Sequence, residues 1–165
     1  MVAAGLSMGF TACTDLEPTL YSNLTTANAY TSESDIDAAL VGIYADLNPY
    51  PGDAWMYYAG YMVMTTDYTT DMGYSTAAGD PTKLSNMTYD ANNRYFKYNW
   101  QCMYQVISNA NVLLQNIDNI SMDETKKKQV IAQAKFLRAL AYRDLTDGWG
   151  PVPLITELID PSTAK

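Results

Sequence analysis

The chain has 165 residues, 48% of them hydrophobic and 17% charged, a balance that supports one folded domain with a real core and argues against a disordered chain. Ten basic against 18 acidic side chains leave a net charge of -8, which opposes the attraction to phosphate backbones on which nucleic-acid binding depends. With no histidine present, a Ser-His-Asp triad, a His-ligated zinc site and an imidazole switch near neutral pH are all excluded.

Residues 1–12 are uncharged and mostly small or apolar (Val2, Ala3, Leu6, Met8, Phe10), and they run into Thr11-Ala12-Cys13. This is the pattern of a partial lipoprotein signal peptide whose basic beginning is missing. Cys13 would then be the lipidated N-terminus of the mature chain, held in a membrane by acyl chains that contribute about 0.8 kcal/mol per buried CH₂. The alternative is a short buried element with an incidental cysteine. Residues 13–31, with Asp15, Pro18, Ser22, Asn23 and Thr25, lack periodicity and read as an extended tether.

Ser32 and Asp35 are spaced as a capping pair, and Ile36, Leu40, Ile43, Tyr44 and Leu47 recur at helical steps, so a first helix is expected over about 33–47, stopped by Pro49 and Pro51. The aromatic and Met-rich run 54–65 predicts a shorter buried helix weakened by Gly60. Residues 66–92 carry Asp67, Asp71, Gly73, Gly79, Asp80 and Pro81 and are expected to form a long irregular loop, a feature uncommon in compact domains unless it is functional or mobile.

Two long amphipathic helices follow. The first, about 93–117, places Trp100, Tyr104, Ile107, Asn111, Leu114 and Ile117 on one stripe. The second begins at a capping box of Ser121 and Glu124 and buries Val130, Ile131, Ala134, Leu137, Ala141 and Leu145. Their short connection makes an antiparallel hairpin, and Ala132, Ala134, Ala139 and Ala141 are expected to let the two helices approach closely. Gly148 would supply the left-handed stop before Pro151 and Pro153 hold an extended exit. Such hairpins need neighbours to cover their outer faces, so the sequence reads as truncated. Cys102 lies in a helical pattern and reads as a core thiol without a basic neighbour to activate it. No later run of 18 or more apolar residues is available to span a membrane.

The run Ala134-Lys135-Phe136-Leu137-Arg138-Ala139-Leu140-Ala141-Tyr142, followed by Trp149-Gly150-Pro151-Val152-Pro153-Leu154, resembles the hallmark segment of the SusD/RagB family. Trp100, Tyr104, Ile107, Asn111 and Leu114 are similar to that family's preceding helix, and the segment from Ile36 to Leu47 to its first helix. The resemblance implies an all-α fold of tetratricopeptide-like helical repeats with a long irregular loop. Residues 32–165 would be the N-terminal part of an incomplete SusD-like domain. It further implies a surface lipoprotein of the outer membrane that captures oligosaccharides, or in some members peptides, for a SusC-like TonB-dependent transporter. No cofactor or metal is implied, and no catalysis. Arg138 and Tyr142, one turn apart, read as residues that pack and pair between helices rather than as ligand contacts.

A sugar presents apolar C–H faces and a rim of hydroxyls, which tyrosine matches with a rigid ring and a polar tip. With 14 tyrosines in the chain, the candidate binding residues are those of the loop, Tyr68, Asp71, Tyr74, Tyr89 and Asn92, whereas Tyr57, Tyr58, Tyr61 and Tyr104 read as core. Asp67 and Asp71 could be recruited as a glycosidase pair or as calcium ligands. Nothing in the sequence demands the former and the EF-hand spacing is absent, so both read as solvated loop residues. A helical-repeat scaffold that docks only a transporter is the other reading.

Overall fold

The computed structural model of the chain describes residues 29–48, 58, 60 and 62–158. Cys13, the expected signal segment, the tether before residue 29 and most of the run 54–61 lie outside these described residues. The described architecture is all-α, as expected: α1 (Glu33–Asp46), α2 (Met62–Asp67), α3 (Asp80–Ser85), α4 (Arg94–Asn116) and α5 (Glu124–Trp149), with a 3₁₀ turn, Ile117–Asn119, between the last two. No described helix is long and apolar enough to cross a membrane.

α1 begins at the capping box foreseen at Ser32. The Ser32 amide donates to Asp35 Oδ2 at 2.8 Å while the Asp35 amide donates to Ser32 Oγ at 3.4 Å. The Thr31 hydroxyl and amide donate to the same carboxylate oxygen at 2.8 and 3.0 Å, and these bonds, the Thr31 hydroxyl first, hold the Asp35 pKa down at about 2. Ile36, Leu40 and Ile43 are buried, but Tyr44 is an exposed member of the expected stripe and donates its hydroxyl to Gln133 Oε1 of α5 at 3.0 Å.

The core lies between α1, α4 and α5. Asn111 of α4 faces Arg138 of α5 and Trp100 faces Trp149, so the two long helices run antiparallel. Lys126, near the start of α5, reaches Glu33 and Asp37 of α1 at 2.7 Å each, while Tyr44 meets Gln133, so α1 runs parallel to α5. The buried row of α4 comprises Asn99, Met103, Val106, Ala110 and Leu113 together with Ile107 and Asn111. Of the expected stripe, Ile107, Asn111 and Ile117 are buried, whereas Trp100, Tyr104 and Leu114 are partly buried at the edge of the core, whose centre on α4 is the row of Met103, Val106, Ala110 and Leu113. On α5, Ala134 and Ala141 are fully buried at the contact, whereas Ala132 and Ala139 face solvent.

Three expectations are corrected. The chain remains helical to Asp67, and α3 interrupts the long loop: Pro81 stands in its first turn, where the missing amide costs nothing, and Leu84 is fully buried with Tyr95. The cap of α5 is Asp123, whose carboxylate accepts from the Lys126 amide at 2.8 Å, not Ser121. Residues before it stay extended because Ile120 and Met122 pack on the core. α5 also runs through Gly148, and Gly150, at φ 73°, makes the left-handed stop, which carries Trp149 one step further along the helix toward Trp100.

Candidate ligand-binding cleft

The start of α4 is anchored from α3. The Asp80 carboxylate accepts from the Arg94 amide at 3.2 Å and the Asp80 carbonyl from Asn93 Nδ2 at 3.2 Å, while the Asn93 side chain caps the helix. This fixes the row Phe96, Trp100 and Tyr104, spaced four residues apart and therefore on one face. Tyr89, at the end of the loop, packs on Phe96 with ring centres 5.0 Å apart. Trp100 lies 4.9 Å from the Tyr104 ring and meets Trp149 edge-on at 5.5 Å.

Tyr89, Phe96, Trp100 and Trp149 border a cleft of about 630 Å³ rimmed by Asp90, Lys97 and Gln101. A second chamber of about 400 Å³ shares Tyr89, Phe96, Gly148 and Trp149 with it and continues between α2 and the end of α5. Its polar lining includes Thr65, Thr66, Thr69, Asn99, Asp144 and Asp147. Asp144 is buried and held from two sides: the Tyr58 hydroxyl donates to Oδ2 at 2.6 Å, and Arg143 donates to Oδ1 through Nε at 2.9 Å and Nη2 at 2.5 Å. Burial, with the Asp144 carboxylate beside it, pushes the Tyr58 hydroxyl well above its ordinary range, so it stays a proton donor.

The segment that follows Trp149 is held by Arg138 and Tyr142 of α5 and by Tyr104 and Asn111 of α4. The Tyr142 hydroxyl donates to the Ile155 carbonyl at 2.9 Å and accepts from the Ile155 amide at 2.6 Å. Arg138 Nη1 donates to Asn111 Oδ1 at 2.6 Å and to the Thr156 carbonyl at 3.1 Å, Asn111 Nδ2 donates to the Ile155 carbonyl at 3.0 Å, and Tyr104 donates to the Pro153 carbonyl at 3.0 Å. The exit segment after Gly150 has no helix or sheet to satisfy its backbone, and these side chains do so instead.

Of the loop residues picked from sequence, Tyr89 alone lines the cleft. Tyr68 is half-buried against Leu84 and Tyr95, where Gly73 closes over it so tightly that a Cβ would meet its ring and the Asp67 carbonyl oxygen at 2.9 Å. Asp71 and Tyr74 are exposed and line neither chamber. Asn92 is exposed as well, its amide donating to Asp90 Oδ1 at 2.8 Å. Helical spacing makes Trp100 read as core, and nothing in the spacing marks Phe96 or Trp149 as lining a cleft. The available signal is that Phe96 and Trp100, four residues apart on α4, are offset from the buried row of Asn99, Met103 and Val106. Cys102 is half-buried, and burial, with Asp46 nearby, pushes its thiol pKa up, away from reactivity. Among the described residues no acidic or sulfur cluster suits a metal ion.

A family model described as starch-binding, associating with outer membrane, matches residues 16–163. The chain belongs to the SusD-like family. Two SusD-like proteins of Formosa agariphila are 31% and 27% identical to it over 141 and 150 residues, covering 78% and 91% of this chain but 25% and 29% of theirs. A SusD-like protein of Bacteroides ovatus is 27% identical over 174 residues, covering 95% of this chain and 28% of its own. The crystal structure of a SusD-like carbohydrate binding protein from Bacteroides fragilis superposes with a TM-score of 0.64 at 29% identity, over 81% of this chain and 26% of that one. This SusD-like chain therefore spans between 25% and 29% of the length of these relatives.

Proposed function

We propose that these residues form the N-terminal part of a non-catalytic, surface-exposed lipoprotein, cleaved before Cys13 and acylated there, that binds an oligosaccharide and delivers it to a SusC-like TonB-dependent outer-membrane transporter. The observation that carries the binding part of this reading is the aromatic cleft of Tyr89, Phe96, Trp100 and Trp149. It offers ring faces for sugar C–H surfaces and a rim of Asp90, Lys97 and Gln101 for hydroxyls. The family description and the carbohydrate-binding relative of similar fold support the same reading. Capture for handover needs reversible binding, so moderate affinity with fast release suits the task.

The test is glycan binding by the full-length protein carrying this chain, measured by titration on an oligosaccharide array. Tyr89→Ala is expected to weaken binding at least about tenfold, a loss of about 1.4 kcal/mol. Unchanged affinity would remove the cleft from the site, and selective capture of peptides would favour a peptide-binding member of the family. For the anchor, Cys13→Ala is expected to move the protein from the membrane to the soluble fraction. Detergent-dependent retention of that variant would end the lipoprotein claim.

A further inference from the structure

The inner chamber has a one-sided chemistry. Among its described lining residues there is no lysine or arginine, and there are two carboxylates, Asp144 and Asp147. Asp144 is already matched by Arg143 and Tyr58, whereas Asp147 stands exposed in the last turn of α5, one turn beyond Arg143 and in its field, but with no ion-pair partner within 4 Å among the described residues. The threonines add to the same bias. The hydroxyls of Thr65 and Thr66 donate to the Met62 carbonyl at 2.9 and 3.0 Å, and that of Thr69 to the Thr65 carbonyl at 2.7 Å. A hydroxyl whose single proton is directed into its own helix has only lone pairs to offer a ligand; Thr65 already accepts from Asn99 Nδ2 at 3.1 Å, so Thr66 and Thr69 carry this bias. The outer chamber balances Asp90 with Lys97, so the asymmetry belongs to the inner one.

We infer that the inner chamber takes a sugar unit rich in hydrogen-bond donors, binds amino sugars more tightly than neutral ones, and rejects units bearing a carboxylate. Among the described lining residues a uronate would meet acceptors and like charge and no cation, Arg143 being held on Asp144, whereas an ammonium group would meet Asp147 and hydroxyl lone pairs. The inference rests on the carbohydrate-binding reading above and adds the class of sugar.

Three oligosaccharides of one linkage, a neutral glucan, its C6-carboxylated form and its 2-amino form, are titrated into the full-length protein at moderate salt and at a pH where the amine is charged. The expected order is amino, neutral, carboxylated, with about tenfold between the ends. Asp147→Asn should narrow that ratio and Asp147→Lys should invert it, both at an exposed position that the core does not need. Equal binding of all three, tighter binding of the carboxylated form, or an order indifferent to Asp147 would overturn the inference and leave carbohydrate binding intact. Binding of none would overturn the carbohydrate reading and this inference together.

Discussion

Tyr142 illustrates how a single side chain can do the work of a secondary-structure ladder. Its hydroxyl both donates to and accepts from the backbone of Ile155, so Tyr142→Phe leaves the Ile155 amide short of its acceptor and its carbonyl with Asn111 Nδ2 as the remaining donor. The expected cost is about 1–2 kcal/mol, read as a lower urea midpoint with an unchanged slope. The sequence showed Arg138 and Tyr142 as a pair one turn apart and favoured a packing role over ligand contact. Both side chains bond the exit segment, and Arg138 also bonds Asn111 of α4. Their backbone targets, 13 and 18 residues further on, carry no signal in side-chain pattern. Met87 makes the opposite case. It is the only non-glycine residue at positive φ among those described, at 55°, and it turns the chain after α3 toward Tyr89. Met87→Gly is expected to relieve about 1–2 kcal/mol of backbone strain and to return about 0.5–1 kcal/mol of it through unfolded-chain entropy, a net gain visible as a small rise in melting temperature.

Helices are where the sequence was read most closely, and where neighbours decided the details. The Ser32 and Asp35 box was legible because it is a local device of fixed spacing. Ser32→Ala should cost about 0.5–2 kcal/mol in denaturant unfolding. Asp35 adds a pH signature. Its folded pKa lies below the ordinary 3.8, so its contribution is complete above that value and fades as pH falls toward 2. In acid titrations followed by circular dichroism, Asp35→Asn should differ in stability from the parent at pH 5, and the difference should shrink toward pH 2. The second cap was misplaced from Ser121 to Asp123 for a tertiary reason. Ser121 has the right spacing, but Ile120 and Met122 are drawn onto the core, and only after them is the chain free to turn. α3 was missed because Gly79, Asp80 and Pro81 spell a turn locally, and the burial of Leu84 against Tyr95 is what continues that turn as a helix.

At the scale of the molecule, α1, α4 and α5 share one core whose centre includes Met103, Ala110, Ala134, Leu137 and Ala141, all 0 to 1% exposed. Leu137→Ala is expected to cost about 2–5 kcal/mol, because flanking backbone held by two neighbouring helices cannot collapse into the cavity. A loss below about 1 kcal/mol in equilibrium unfolding would mean that this core is less tightly packed than the buried areas indicate. Lys126 ties α5 to α1 through two carboxylates at a solvent-facing edge, an arrangement that orients the helices and weakens as salt is added.

Helical class, the two long amphipathic segments and membership of the SusD-like family were determined by the sequence alone, because periodicity and caps act over a turn or two and the hallmark segment is contiguous. The cleft was decided only by the tertiary structure. Tyr89, Phe96, Trp100 and Trp149 come from a loop, the start of one helix and the end of another, and they meet because α4 and α5 run antiparallel around a shared core. In sequence Tyr89 stands out as a loop tyrosine, whereas the helical spacing of Trp100 looks like core filling. How the three helices pack leaves Trp100 and Phe96 only partly buried at the edge of the core, where they line the cleft.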